Sequence, residues 1–220
     1  IARVLASALR HSQPVYIELP RDMVRAPCEP VAPEAPAPID EDALAACVDE
    51  LLARLAAANS PVLMAGIEVR RYGLEAKVAE LSRRLGLPVV TSFMGRGLLA
   101  DADAPLVGTY MGVAGEPELS RMVESSDGLL LLGEIVCDTN FAVSERKIDL
   151  RRTIRALDGQ VTMGYHVYPD IPLAALVDRL LARVPATARR FDVKRAPFPR
   201  GMPADDAPIA PHDIATAIND

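Results

Sequence analysis

The residues of this chain with the clearest chemical potential are Asp138, Thr139 and Asn140, which follow four consecutive leucines and a glycine. A short apolar run bounded by glycines is typical of a strand that is buried on both faces of a parallel sheet. In open α/β sheets, ligands bind beyond the carboxyl ends of the strands. The segment 134–141 is therefore a candidate binding site. The alternative is an ordinary strand exit, in which Asp and Thr only hold the turn.

A second polar exit follows the apolar run 62–66 and carries Arg70 and Arg71. In a doubly wound sheet the first strand of each half lies at the topological switch point, so we expect the two exits to be neighbours. Arginine combined with hydroxyl and amide groups is a suitable receptor for a small carboxylate. Alternatively, the two arginines lie on a solvated helix start and pair with Glu68 or Glu75.

The elements that must position these residues alternate between strands and helices, which predicts an α/β fold with a doubly wound, mainly parallel, Rossmann-like sheet. We expect residues 94–115 to form a glycine-rich passage and a long loop. Strands are predicted at 15–19, 62–66, 88–92, 129–132, 153–157 and 161–164, and helices at 1–10, 40–58, 74–85, 117–125, 173–184 and 209–220.

Two proline-rich stretches divide the chain, and such stretches behave as semi-rigid spacers. The chain begins and ends within helical patterns, so we interpret it as an internal piece of a longer protein. The predicted parts are the end of an upstream domain (1–24), a linker (25–40), a middle α/β domain (41–186), a second linker (187–208) and the start of a third domain (209–220).

Composition narrows the function classes. A net charge of −6 without a basic run argues against nucleic acid binding, and no apolar stretch is long enough to span a membrane. The three cysteines, Cys28, Cys47 and Cys137, are widely spaced, which indicates reduced thiols and a cytoplasmic location. We expect Cys137 to be buried and inert.

No local motif predicts a metal or nucleotide site. The segment 95–100 has the glycine spacing of a dinucleotide-binding loop, but that loop needs a helix directly after it, and Asp101 and Asp103 follow instead. The three histidines lie far apart in the sequence, without a trusted partner at ligand spacing.

An ordered series of segments resembles the thiamine-diphosphate-dependent 2-oxo acid decarboxylases, in particular the indolepyruvate and phenylpyruvate decarboxylases. The series covers nearly the whole chain, although each segment alone is a weak signal. Its members are PVYIELPRD (14–22), GIEVRRYGL (66–74), TSFMGRG (91–97), GTYMG (108–112), SDGLLLLG (126–133) and DTNF (138–141).

The resemblance implies a three-domain enzyme that converts an aryl 2-oxo acid to an aldehyde and carbon dioxide. Residues 1–24 would end its pyrimidine-binding domain, and residues 209–220 would open its diphosphate-binding domain. Thiamine diphosphate and Mg²⁺ would be bound by the domains outside this segment, and the segment alone would not be catalytically competent. The resemblance also implies a homodimer or homotetramer, allosteric behaviour and a role in auxin biosynthesis.

The same resemblance assigns Asp138 and Thr139 to the substrate cavity, and extends this assignment to Asn140 and Phe141. Arg70 or Arg71 would hold the carboxylate of a second, activating 2-oxo acid. Two alternatives remain open. One is the middle domain of a flavin-binding enzyme similar to acetolactate synthase, and the other is a non-catalytic module that binds an effector.

Overall fold

The computed structural model describes residues 1–32, 35, 38–141, 147–186 and 200–220. Seven strands and eight α-helices lie in these ranges. The strands are β1 (Pro61–Ala65), β2 (Val89–Ser92), β3 (Leu106–Tyr110), β4 (Gly128–Leu132), β5 (Ile154–Leu157), β6 (Gln160–Met163) and β7 (His166–Tyr168). The helices are α1 (Ala2–His11), α2 (Glu41–Ala57), α3 (Ile67–Arg71), α4 (Glu75–Leu85), α5 (Pro117–Glu124), α6 (Asp138–Phe141), α7 (Leu173–Arg183) and α8 (Pro211–Asn219).

All seven strands form one sheet in the order β3-β2-β1-β4-β5-β6-β7. Strands β1 to β5 pair in parallel, and β6 and β7 extend the sheet with antiparallel pairs. The order reverses between β1 and β4, so this pair forms the switch point of a doubly wound sheet. The predicted α/β, mainly parallel, Rossmann-like fold is confirmed.

Local sequence signals set the ends of the helices. The Asp40 carboxylate accepts hydrogen bonds from the main-chain N–H groups of Asp42 and Ala43, and it thereby caps α2. Helix α4 ends at Gly86, whose φ of 68° is the left-handed conformation that glycine adopts without steric cost. Pro117 occupies the first turn of α5, where its missing N–H has no partner to lose.

Alternating residues along the central strands face two separate hydrophobic cores, as expected for a sheet that is covered on both faces. On one face, Leu130 and Leu132 of β4 pack in a core shared with α2, α4 and α7. On the other face, Leu129 and Leu131 pack in a smaller core with α5 and Phe141. All four leucines are therefore buried, two on each face of the sheet.

Helix α1 contacts the sheet domain through its last turn. Arg10 Nη2 lies 2.5 Å from Asp170 Oδ1, and His11 Nδ1 lies 2.5 Å from Asp158 Oδ1 in the turn between β5 and β6. The Tyr72 hydroxyl donates to the Arg10 carbonyl at 3.0 Å. A cavity of about 70 Å³ lies between these groups.

Four local predictions were wrong. Residues 15–19 have strong strand propensity but do not form a strand, because no sheet neighbour pairs with them within the described residues. The expected loop 94–115 contains β3, which pairs with β2 in parallel. The short edge strand β7 was missed, and α6 replaces the loop that we expected after β4.

Three further expectations concern Cys137, the linkers and membrane-spanning segments. Cys137 is half-buried, not buried, because it lies in the irregular segment that leaves the sheet. The predicted linkers fall partly on residues 33, 34, 36, 37 and 187–199, which lie outside the described residues, and the domain boundaries remain predictions. No helix in the described part of the chain is long and apolar enough to cross a membrane.

Candidate functional site

The exits of β1 and β4 lie side by side, as the switch-point argument predicted. Ala65 is in register with Leu132, and the Gly66 N–H donates to the Leu132 carbonyl at 2.9 Å. One step further on, the Glu68 N–H donates to the Gly133 carbonyl at 3.1 Å. The two segments therefore form one continuous wall at the carboxyl edge of the sheet, where ligands bind in folds of this kind.

Glycine at position 66 makes this close approach possible. A Cβ atom at this position would lie 2.3 Å from both the Glu134 Cα and the Gly133 carbonyl oxygen. Both are main-chain atoms, so a side-chain rotation cannot relieve the clash. Gly133 itself has a φ of 62°, which turns the chain sharply out of β4.

Residues 138–141 form the single helical turn α6, which is held by its buried members. Asn140 has no exposed surface; its Oδ1 accepts from the Met94 N–H at 3.0 Å, and its Nδ2 donates to the Ile135 carbonyl at 2.8 Å. Phe141 packs edge-on against Tyr110 with ring centroids 5.9 Å apart. Asp138 and Thr139 are the exposed members of the turn. The four candidate residues thus divide into two that anchor the turn and two that face outward.

Arg70 and Arg71 are exposed at the end of α3. The Arg70 Nε lies 2.8 Å from Glu75 Oε1, and its Nη2 donates to the Leu98 carbonyl at 3.4 Å. Arg71 lies near enough to Glu68 for its charge to lower the pKa of that carboxyl. The main chains of the two exits are therefore hydrogen-bonded to each other. The Arg70 guanidinium, however, contacts α4 and the loop after β2 instead of the β4 exit. This matches the alternative expected from sequence, an arginine paired with Glu75.

Two glutamates are buried behind this wall, and sequence reasoning did not select either of them as a site residue. Glu68 is 1% exposed, and its carboxylate accepts from the Asp158 N–H at 3.2 Å. Burial raises the pKa of Glu68, and the bond from Asp158 partly opposes this shift. Glu134 is 2% exposed, and burial raises its pKa to about 7.

The Glu134 carboxyl lies near two polar side chains without bonding either of them well. Ser92 and Asn140 are close enough to lower its pKa and so favour its ionised form. However, neither carboxylate oxygen has a hydrogen-bond partner of acceptable geometry among the residues described. One sequence signal could have identified Glu134, since a charged residue directly after a fully buried strand has little access to water.

The glycine-rich segment after β2 forms consecutive turns, and no helix follows it before β3. The dinucleotide interpretation thus lacks the helix N-terminus that would bind a pyrophosphate. Arg96 instead stacks over the Phe93 ring at 4.4 Å from its centroid. Together with Met94, these residues border the Asn140 anchor on the β2 side of the candidate site.

The described residues do not fit thiamine diphosphate or its metal ion. Mg²⁺ is bound by carboxylates together with substrate phosphates, and no group of three or more His, Cys, Asp or Glu side chains gathers in the described ranges. The cavity beside α1, at about 70 Å³, is far smaller than the roughly 300 Å³ or more typical of cofactor sites. A wider cleft of about 440 Å³ is lined by Arg3, Val4, Ser7, Val15 and Tyr16 and contains no carboxylate.

Comparison with known proteins indicates the same family as the motif series. Residues 48–184 match the family model described as "Thiamine pyrophosphate enzyme, central domain". An indole-3-pyruvate decarboxylase from Azospirillum brasilense is 62% identical over 221 positions, covering 100% of this chain and 41% of that protein. Two pyruvate decarboxylases are more distant: the one from Aspergillus terreus is 29% identical and the one from Aspergillus fumigatus is 31% identical, and each alignment covers 84% of this chain and 34% of that protein.

The chain spans about two fifths or less of the length of these relatives. The matched region begins within α2, continues through α7 and contains the whole sheet, so it includes both strand exits of the candidate site. The resemblance inferred from the motif series is confirmed, and the chain belongs to the family of thiamine pyrophosphate enzyme central domains.

Proposed function

We propose that this chain is the middle domain of a non-oxidative 2-oxo acid decarboxylase that converts indolepyruvate or phenylpyruvate to the aldehyde and carbon dioxide. The observation that carries the proposal is the 62% identity, over the whole chain, with a protein named as an indole-3-pyruvate decarboxylase. Pyruvate decarboxylases also match, at about half that identity. The aryl substrates are therefore favoured over pyruvate.

In this proposal, α6 forms part of the wall of the substrate cavity. Asp138 and Thr139 are exposed at the carboxyl edge of the sheet, and the buried side chains of Asn140 and Phe141 fix the turn that presents them. Thr139 would hydrogen-bond the polar head of the substrate, and Asp138 would orient it. Asn140 and Phe141 would act on the substrate through the position of this turn, since both side chains are engaged within the domain.

Arg70 and Arg71 are proposed to bind the carboxylate of a second, activating 2-oxo acid. Both lie at the exit next to α6, and the Arg70 side chain is 58% exposed. An exposed ion pair contributes little stability, so a ligand carboxylate can replace Glu75 at small cost. We expect Arg70→Ala to reduce the cooperativity of substrate saturation in the full-length protein. The matched control is Arg183→Ala, which removes an exposed pair with Asp49 on α2.

The remaining properties concern the full-length protein. Thiamine diphosphate supplies the chemistry that stabilises the carbanion left by carbon dioxide. We propose that it is bound with Mg²⁺ by regions outside this chain, and that the enzyme is a cytoplasmic homodimer or homotetramer with a role in auxin biosynthesis. The three free cysteines support a reducing compartment.

A decarboxylation assay of the full-length protein tests the proposal. Phenylpyruvate, indolepyruvate and pyruvate are supplied with and without thiamine diphosphate and Mg²⁺, and aldehyde formation is measured. We expect cofactor-dependent aldehyde formation, fastest with the aryl substrates. If none of the three substrates yields aldehyde and the purified protein is yellow, the flavin-binding alternative replaces this proposal. Binding of a 2-oxo acid without turnover favours the non-catalytic module instead.

Thr139→Ala tests the substrate wall separately. Thr139 is exposed, so its loss leaves the fold intact, and we expect KM for phenylpyruvate to rise about tenfold, the value of one good hydrogen bond to a charged group. Thr162→Ala, on β6, is the matched control. If both variants retain the kcat, KM and cooperativity of the wild type, α6 does not contact the substrate.

A further inference from the structure

Glu134 is a carboxyl group that is buried from water and has no charge partner among the described residues. It directly follows Gly133, is 2% exposed, and has no hydrogen-bond partner for either oxygen among the described residues. An ionised carboxylate in such a position carries a large desolvation cost, so the neutral acid is the form that suits this site.

The position of Glu134 couples it to three elements of the candidate site. Its Oε2 would lie 2.5 Å from a Cβ at position 66, so the carboxyl rests directly on the glycine of the β1 exit. Ser92, at the end of β2, is its second neighbour and also receives the Gly95 N–H at 3.3 Å. Asn140, which anchors α6 to Met94 and Ile135, is its third neighbour.

Among the residues that the structure describes, no charged side chain compensates Glu134. Burial raises its pKa to about 7, Ser92 and Asn140 lower it, and no charged group in the described ranges contributes to the shift. Three charged groups on the neighbouring elements are engaged elsewhere: Glu68 bonds the Asp158 N–H, Arg70 pairs with Glu75, and Arg96 stacks on Phe93. Arg155 of β5 is in register with Leu131, and its buried Nε has no hydrogen-bond partner among the described residues, but it does not contribute to the Glu134 pKa. Asp138 is exposed on α6.

We propose that Glu134 is a proton-linked positioning residue, which in its neutral form lets α6 hold Asp138 and Thr139 in place and which displaces α6 when it ionises. The ionised carboxylate must gain water, and Asn140, which anchors α6, is one of its two polar neighbours. Ionisation therefore moves the anchor of α6 and with it the two exposed side chains. This inference rests on the proposed contact between α6 and the substrate.

The proposal predicts a specific pH dependence of substrate affinity in the full-length protein. KM for phenylpyruvate stays constant at acidic pH and rises as the pH passes about 7, approaching tenfold per pH unit where only the neutral form holds α6. The value of kcat changes much less, because α6 is proposed to bind the substrate and not to react with it. A purely structural role for Glu134 would not split KM from kcat in this way.

Glu134→Gln is the decisive variant, because the amide has the same shape and cannot ionise. We expect its KM to be constant between about pH 5.5 and 8.5, a range that brackets the ionisation. Glu68→Gln is the matched control, because it removes the other buried carboxyl at this edge and leaves Glu134 to titrate; its KM should rise with pH as in the wild type. If Glu134→Gln folds poorly, Glu134→Ala serves instead, with a raised but pH-independent KM.

The outcomes separate this inference from the proposed function. An equal KM slope in wild type and Glu134→Gln, or a flat profile in the wild type, overturns the role of Glu134 even when Thr139→Ala shows that α6 binds substrate. Unchanged kinetics in Thr139→Ala would overturn the substrate wall, and the role of Glu134 with it. Urea unfolding then still shows whether Glu134 titrates, because the unfolding midpoint of the wild type, but not of Glu134→Gln, falls as Glu134 loses its proton only in the unfolded state.

Discussion

The exit of β1 and the exit of β4 each place a buried glutamate behind the sheet edge, but the two glutamates are treated differently. Glu68 accepts hydrogen bonds from the Asp158 main chain, whereas Glu134 has no hydrogen-bond partner among the described residues. The first exit is thus tied to the turn between β5 and β6, and its Arg70 is tied to α4. The second exit presents Asp138 and Thr139 from a turn that the buried side chains of Asn140 and Phe141 anchor.

This difference indicates a division of labour at the switch point. A carboxylate that accepts main-chain N–H groups stabilises its surroundings at neutral pH, because those bonds favour the charged form. A buried carboxyl without such bonds has a large desolvation free energy when it ionises, and movement into water removes this penalty. Four tests, one of which compares two variants, show whether the two exits differ in this way, and they are given in order of the largest expected effect.

Gly66→Ala disturbs both exits, because position 66 lies at the contact between them. Its Cβ would meet the main chain of Gly133 and Glu134 at 2.3 Å, so β1 and β4 must move apart. We expect the free energy of unfolding of the 220-residue chain to fall by about 3 kcal/mol, the upper end for overpacking. Gly159→Ala is the control; it meets no atom within 4 Å and suffers only its φ of 74°, a cost of about 1–2 kcal/mol. Equal losses in urea titrations would mean that the contact between the exits is not tight.

The pH dependence of stability compares the two glutamates directly. Glu134 keeps its proton in the folded state up to about pH 7, whereas in the unfolded chain it ionises near its ordinary pKa of 4.5. The folded state therefore binds more protons, and the stability of the wild type falls between these two pH values and is flat above them. Over this pH interval, the free energy of unfolding of Glu134→Gln should rise relative to that of the wild type by up to roughly 3 kcal/mol.

Glu68→Gln should show a smaller gain, because the Asp158 N–H already favours the ionised form of Glu68. Urea unfolding at a series of pH values measures both effects. Identical profiles for the two variants would contradict the contrast between the exits.

Asn140→Ala removes the anchor of α6. The substitution leaves the Met94 N–H and the Ile135 carbonyl without their partner, and both of the lost bonds are part-buried. We expect a loss of about 2 kcal/mol in the free energy of unfolding, together with a raised KM for phenylpyruvate in the full-length protein. Asn59→Ala, which loses only an exposed bond to Asp127, is the control and should lose less than about 1 kcal/mol. A neutral Asn140→Ala would show that α6 is held by other contacts.

Arg70→Ala should have the smallest effect on stability. The Glu75 pair that it removes is more than half exposed on the arginine side, so we expect a change below about 1 kcal/mol in the free energy of unfolding. Thermal unfolding of this variant beside Arg183→Ala measures the difference. A loss much larger than that of the control would mean that Arg70 is a structural residue of the β1 exit and not a free receptor.

Sequence reasoning located the switch point because its signals are local. The leucine run and the flanking Gly133 each act on residues next to them in the chain. The strand β3 was missed because Gly108 interrupts a short run whose strand character comes from its pairing with β2. Residues 15–19 show the converse, since strand propensity without a neighbouring strand does not produce one.

The candidate site was predictable only in part for the same reason. Asp138 and Thr139 could be placed at a strand exit from the pattern alone, and the family resemblance gave them a role. The anchoring bonds of Asn140 reach Met94, which is 46 positions away in the sequence, so no local pattern indicates them. Glu134 lacks a hydrogen-bond partner because none of the three elements around it supplies a well-placed donor among the described residues. The order of residues in the sequence does not reveal this.

The antiparallel end of the sheet has a consequence for the behaviour of the protein at high concentration. An exposed edge strand presents free N–H and C=O groups that can pair with another molecule and begin aggregation. Here the edge is β7, which has only three residues, and Glu50 of α2 bonds the side chains of both His166 and Tyr168 at its ends. Such a short edge, with both ends bonded to α2, offers little template for a further strand, so this end of the sheet is protected from pairing with another molecule.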